Sequence, residues 1–142
     1  MNYLLDTNHW SSLQRNHPAV VTRIQGLPEE ATLYMPVVAQ AELLAGVELI
    51  NSGPRHRQLR ALYEHAVSQA TEVLGITSAV AERYAPIFAA LRRKGTPIET
   101  DDIGIAAIAQ AHDLILVTSD AHFGLIDGLT VEDWTKPGDP GL

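Results

Sequence analysis

Leu114-Ile115-Leu116-Val117 is an uninterrupted apolar run, too short for a buried helix and of the kind a strand shows when both its faces are covered. Tyr3-Leu4-Leu5, near the start of the chain, is a second such run. Strands buried on both faces belong to parallel sheets, and parallel neighbours need long, usually helical, crossovers. The intervening segments suit that role. Leu33-Tyr34-Met35 and Val73-Leu74-Gly75-Ile76 are further strand candidates, with Leu129-Thr130-Val131 a short last one. Pro36 fits the first turn of a helix to about Ile50, which Asn51-Ser52-Gly53 stops. Pro54 opens another, with Leu59, Leu62, Tyr63, Ala66, Val67 and Ala70 at helical spacing. Thr77 or Ser78 caps a third, whose apolar face is Val80, Tyr84, Ile87, Phe88 and Leu91; Pro86 should bend it and Gly95 end it. A fourth runs from about Asp101 to His112. This alternation predicts an α/β fold with right-handed crossovers and helices on both faces of the sheet. No linker divides the chain, so one domain over 1–135 is expected, followed by a turn-rich tail, 136–142.

A chain of 142 residues can bury about 68–70% of its unfolded surface and needs no disulfide to fold. It has no cysteine, which excludes disulfides and thiolate metal sites. No segment reads as a secretory signal or reaches membrane-spanning length, so a soluble cytoplasmic protein is expected. The net charge of −7 speaks against a nucleic-acid partner unless the acids cluster around metal; two divalent ions would offset four of those charges.

Both clear strands end at an acid: Tyr3-Leu4-Leu5 at Asp6, and Leu114 to Ser119 at Asp120. In an open parallel sheet the loops at the carboxyl ends of neighbouring strands meet in one crevice. Glu42 and Asp102 lie on otherwise apolar helices. Each acid has an ordinary explanation: Asp6 ends a strand, Asp120 caps a turn, and Asp101 and Asp102 suit the positive end of a helix. Glu42 fits such an account least. At helical spacing its neighbours are Val38, Ala45, Gly46 and Leu49, a stripe expected to pack inward, and no Lys or Arg occurs between Arg23 and Arg55. A buried carboxylate must be paired, protonated or metal-bound. Asp6, Glu42, Asp102 and Asp120 together form a hard oxygen-donor set suited to one or two Mg²⁺ or Mn²⁺ ions. Such ions activate water and stabilise a leaving oxygen in phosphodiester cleavage.

These motifs resemble those of the PIN-domain ribonucleases, and among them the VapC-like toxins of type II toxin–antitoxin pairs. Leu4-Leu5-Asp6-Thr7-Asn8 resembles the family's opening motif, Ala41-Glu42-Leu43-Leu44-Ala45-Gly46 its acidic helix, Asp102-Ile103-Gly104-Ile105-Ala106-Ala107 the segment of the third acid, and Leu116-Val117-Thr118-Ser119-Asp120-Ala121-His122-Phe123 that of the fourth. Order and spacing agree over about residues 2–132. The resemblance implies a three-layer α/β/α sandwich with a mostly parallel sheet, and Mg²⁺- or Mn²⁺-dependent endonuclease cleavage of RNA. It implies Asp6, Glu42 and Asp102 as core acids, Asp120 as a more replaceable fourth, and Asn8 and Ser119 as polar supports, with Thr7 turning the chain. It further implies a homodimer and a cognate antitoxin protein. His9 and Trp10 depart from the small or aliphatic residues of many relatives; the indole reads as core, with base stacking as the alternative.

Arg55 and Arg57, with Arg60, flank one helix's apolar face, and Arg92 and Arg93, with Lys94, close another. A basic rim for RNA phosphates and a plain solvated face both fit, and cations also favour helix C-termini. The histidines show no metal-ligand spacing; His122 is the one nearest the proposed site. Two other readings stay open. In a haloacid-dehalogenase-like phosphatase Asp6 would be a nucleophile, but a second Asp is wanted where Asn8 stands. A non-catalytic metal- or RNA-binding PIN module could keep the same acids.

Overall fold

A computed structural model describes residues 1–137. The apolar runs form β1 (Asn2–Leu5), β2 (Thr32–Pro36), β3 (Glu72–Leu74) and β4 (Ile115–Val117), and β5 (Val131–Glu132) completes the sheet. The order is β3-β2-β1-β4-β5, and every pairing is parallel. The chain lays down three strands in one direction from β1, then returns to its other side for β4 and β5. The order therefore reverses between β1 and β4, and ligand crevices of open α/β sheets form beyond the carboxyl ends of strands at such a point.

The crossovers are α1 (Thr7–Gln14) and α2 (Pro18–Gln25), α3 (Val37–Glu48) and α4 (Pro54–Gln69), then α5 (Ser78–Lys94) and α6 (Thr100–Ala111). A 3-10 turn, Ala121–Leu125, joins β4 to β5. Successive strand residues point to opposite faces, and β1 shows the result. Leu4 joins one core with Val80, Leu91, Ile105, Ile108 and Leu116. Tyr3 and Leu5 join the other with Trp10, Val20, Met35, Ala39, Ala66 and Val117. The first four helices thus cover one face and α5 and α6 the other. Each fully buried aliphatic side chain of β1 contributes about 1.5–3 kcal/mol.

Several elements differ from the sequence expectation. No sequence pattern predicts helices α1 and α2: Thr7, Asn8, His9, Ser11 and Ser12 have weak helix propensity, and tertiary packing of Trp10 and Val20 overrides it. Their start signals are nonetheless present, with Asp6 as N-cap and Pro18 at the first turn. Pro36 closes β2 and caps α3 rather than entering it. β3 stops at Leu74, leaving Ile76 exposed. Thr77 does cap α5, accepting the Val80 amide, and Gly95 ends it in the left-handed conformation at φ 72°. Pro86 lies within α5 on its exposed side, where water can reach the Glu82 carbonyl it leaves unbonded. The expected tail lies, beyond Pro137, outside the described residues. No helix among the described residues is long and apolar enough to cross a membrane.

The inward stripe expected around Glu42 is also corrected. Helix α3 buries Ala39 and Val47, packs Leu43 on the same core, and leaves Glu42, Ala45, Gly46 and Leu49 exposed. An almost uniformly apolar helix gives no periodic signal of which face turns inward.

Candidate active site

Asp6 extends the β1–β4 pairing by one rung, its amide bonding the Val117 carbonyl at 3.1 Å. Its side chain then caps α1, Oδ1 accepting the His9 amide at 2.9 Å. The same Oδ1 lies 3.1 Å from His9 Nδ1, and Oδ2 accepts the Thr118 hydroxyl at 2.6 Å. Asp120 caps the 3-10 turn in the same way, with Oδ1 accepting the His122 amide at 2.9 Å. Thr118 joins the two ends, because its Oγ1 also accepts the Asp120 amide at 3.1 Å. The acids that end the two central strands thus share one buried threonine.

Glu42 is drawn to this crevice by Thr7, whose hydroxyl donates to Oε1 at 2.8 Å. Thr7 therefore does more than turn the chain. Asp101 and Asp102 lie in the first turn of α6, where the helix dipole favours negative charge. Asp101 is exposed, whereas Asp102 is half-buried. Asp102, Asp120 and His122 each offer a ligand atom, all within 4.8 Å of one another. His122 Nδ1 lies 3.2 Å from Asp120 Oδ1. Asp6 and Glu42 adjoin this group without being part of it: Asp6 through Thr118, Glu42 through its charge.

Burial, and then the carboxylates of Asp120 and Glu42, push the Asp102 carboxyl above its ordinary range; Asp101 adds to the rise and His122 opposes it. Among the described residues none of the four acids pairs with a Lys or Arg. A group of carboxylates, two of them half-buried, with no Lys or Arg paired to any suits a hard divalent cation, which would relieve the repulsion. The donor set fits such an ion.

Asn8 and Ser119 are exposed and make no side-chain hydrogen bond among the described residues. The hydrogen-bonded support instead comes from Thr7, His9 and Thr118, which the sequence reading did not select. Trp10 is buried in the core beneath α1 and offers no ring to a base. Arg55 lines a groove of about 540 Å³ shared with Thr7, Ser11, Glu42, Gly46 and Tyr63. Arg57, Arg92 and Arg93 are exposed, and Arg92 lies 4.9 Å from the centre of the Phe88 ring.

Comparison with known proteins gives consistent matches. The profile of the PIN domain matches residues 3–129. The chain is 38% identical over 121 residues to the plasmid stability protein StbB of Pseudomonas syringae, covering 82% of this chain and 86% of that one. It is 31% identical over 135 residues to the tRNA(fMet)-specific endonuclease VapC of Salmonella typhimurium, covering 94% and 98%. The structure of VapBC2 from Rickettsia felis, bound to a DNA fragment from its promoter, superposes with a TM-score of 0.84 at 26% identity, covering 94% of this chain and 99% of that one.

Proposed function

Because this chain belongs to the PIN domain family, we propose that it is a divalent-metal-dependent endoribonuclease, acting as the toxin of a VapBC-type pair. The observation that carries the catalytic reading is the group of half-buried Asp102 and Asp120 with exposed His122, with Glu42 and Asp6 beside it and, among the described residues, no Lys or Arg paired to any of the acids. A phosphatase of haloacid-dehalogenase type is set aside by the family match.

Asp102, Asp120 and the free Asp6 oxygen would hold one or two Mg²⁺ or Mn²⁺ ions, with Glu42 and His122 at the margin. When bound, such an ion supplies activated water and neutralises charge on the cleaved phosphate. The chain's own residues prepare the site. Thr118 holds Asp6 and the Asp120 amide in one arrangement, Thr7 holds Glu42 toward the crevice, and the N-terminal turn of α6 supplies Asp102. Attack by water in line with the leaving 3′ oxygen would leave a 5′-phosphate and a 3′-hydroxyl. Asn8 and Ser119, both exposed at this rim, are free to contact the substrate backbone.

Incubation of single-stranded RNA with the purified protein tests this. Cleavage is expected with Mg²⁺ or Mn²⁺, none with EDTA, and almost none with Asp6→Asn. Equal cleavage by wild type and Asp6→Asn would remove Asp6 from the site. For the toxin role, expression should arrest growth and co-expression of the adjacent antitoxin gene should restore it; growth unaffected by an RNA-cleaving protein would count against it.

Arg55 carries the substrate-binding part of the proposal, since it lines the groove that reaches Glu42. Arg55→Ala should weaken RNA binding regardless of sequence and reduce the slope of log K against log salt by about 0.7, the value for one phosphate contact on a single strand. An unchanged slope in a filter-binding titration from low to high salt would place Arg55 off the RNA path. Arg57, Arg92 and Arg93 would extend the same rim.

A further inference from the structure

We propose that His9 is a positioning residue for Asp6, its ring held in one tautomer by the chain segment that follows β5. The proposal rests on the metal-site reading above. His9 is wholly buried on α1, and its two ring nitrogens face different partners. Nε2 lies 3.2 Å from the backbone nitrogen of Trp134, which can only donate. Nε2 is therefore the acceptor, the proton sits on Nδ1, and Nδ1 donates to Asp6 Oδ1 at 3.1 Å. Asp133 Oδ1 does not compete for Nε2. It stands 3.7 Å away and already accepts the amide and the hydroxyl of Thr135, at 2.9 and 2.6 Å.

The group that orients the ring is itself anchored. The Trp134 indole is buried, packs edge-on against Tyr3 with centroids 5.0 Å apart, and donates through Nε1 to Glu132 Oε1 at 2.9 Å. Arg23 covers its ring at 5.5 Å and reaches the same Glu132 oxygen at 3.4 Å. The Trp134 amide is thus fixed, and through it the imidazole.

The consequence falls on Asp6. A carboxylate has about four lone-pair sites. Oδ1 receives two donors from His9, the amide and the ring, and Oδ2 receives one from Thr118. One acceptor position is left, on Oδ2, so Asp6 presents a single oxygen to a ligand. Without the ring donor the carboxylate would keep its cap and its Thr118 bond, but a second acceptor position would open on Oδ1, so a ligand would no longer meet one defined oxygen. Residues that orient a metal-binding side chain in this way typically change affinity or activity by about 10–100-fold when replaced.

The test compares His9→Leu, His9→Asn and His9→Gln in the full chain. Asn places an amide donor where Nδ1 stands; Gln places its amide near Nε2 and none at Nδ1. Mn²⁺ affinity of the RNA-free protein is measured by calorimetry, kcat and KM for RNA separately, and melting temperature in EDTA. His9→Leu and His9→Gln are expected to lose about 10–100-fold in Mn²⁺ affinity and in kcat with little change in KM. His9→Asn is expected to recover most of that loss whatever its melting temperature. Equal losses in Leu and Asn variants, or losses that only follow melting temperature, would overturn the proposal. Nitrogen-15 NMR of the wild-type imidazole gives a check that needs no variant, metal or RNA: an Nε2-protonated ring overturns it. Mn²⁺ binding without RNA cleavage by wild type would defeat the ribonuclease reading while leaving the affinity comparison decisive for His9.

Discussion

Asp102→Asn should melt at a higher temperature than wild type in EDTA and yet cleave RNA far more slowly with metal present. In the metal-free protein, burial and then the Asp120 and Glu42 carboxylates raise the Asp102 carboxyl above its ordinary range. Between the unfolded value and that raised folded value, the native state binds more protons than the unfolded chain. Stability therefore falls as pH rises through this window, and the deficit persists at neutral pH. An amide removes the charge while keeping the shape. Water screens this half-open site, so the gain is about 1 kcal/mol, or roughly 2–4 °C in a domain of this size.

A divalent ion should reverse the comparison. At a hundred times its dissociation constant a ligand adds about 2.7 kcal/mol to the stability of the protein that binds it. Wild type should gain this and Asp102→Asn little of it. Proton and metal compete for Asp102, so Mn²⁺ affinity should rise with pH up to the raised carboxyl value and level off above it. Loss of a group that stabilises charge in the transition state should lower kcat by about 10²–10³-fold or more. Melting curves with and without Mn²⁺, alongside cleavage assays, check the whole pattern. A variant destabilised in EDTA, or protected by Mn²⁺ as strongly as wild type, contradicts the clustered-acid account.

Trp10→Ala carries the largest expected cost to the fold. The indole has no exposed surface and packs with Tyr3, Leu5, Val20 and Met35 beneath α1. Truncating such a side chain leaves a cavity that its neighbours fill only in part, at about 3–5 kcal/mol. Total stabilities run to about 5–15 kcal/mol, so the variant should lie near the edge of folding, with its melting point lower by roughly 6–20 °C. Trp10→Phe should cost much less. The indole Nε1 is buried with no hydrogen-bond partner among the described residues, so its removal takes away an unsatisfied polar group as well as packing area. Urea titrations of both variants measure this. An alanine variant as stable as wild type would mean the indole is not a core residue.

The parts of this protein visible in its sequence are those written in short windows. The strands read as apolar runs because the sheet is covered on both faces, and β4 and β1 emerged within a residue or two of their observed limits. Asp6 and Asp120 were legible because each ends such a run. Glu42 stands apart: of the stripe around it Ala45, Gly46 and Leu49 face outward, and what ties it to the crevice is Thr7, 35 positions earlier. The hydrogen-bonding roles of Thr118 and His9 are hidden for the same reason. Thr118 bonds a carboxylate 112 positions away and His9 a backbone amide 125 positions away, and no local pattern records such partners. Helix α1 was hidden by its own cap: Asp6, read as the end of a strand, is equally the start of a helix.

The strand order has a consequence for how the protein is made. β1 is the central strand, yet one of its two neighbours, β4, is drawn from more than a hundred residues further along. Pairings so distant in sequence are slow to form, because a long loop must close before any contact rewards it. They also cannot form on a ribosome until the later strand has been synthesised. A nascent chain halted before Ile115 holds Asp6, Glu42 and Asp102 but lacks both the strand beside β1 and the threonine that binds Asp6 to the fourth acid. The order of synthesis thus leaves the acidic crevice among the last features to assemble.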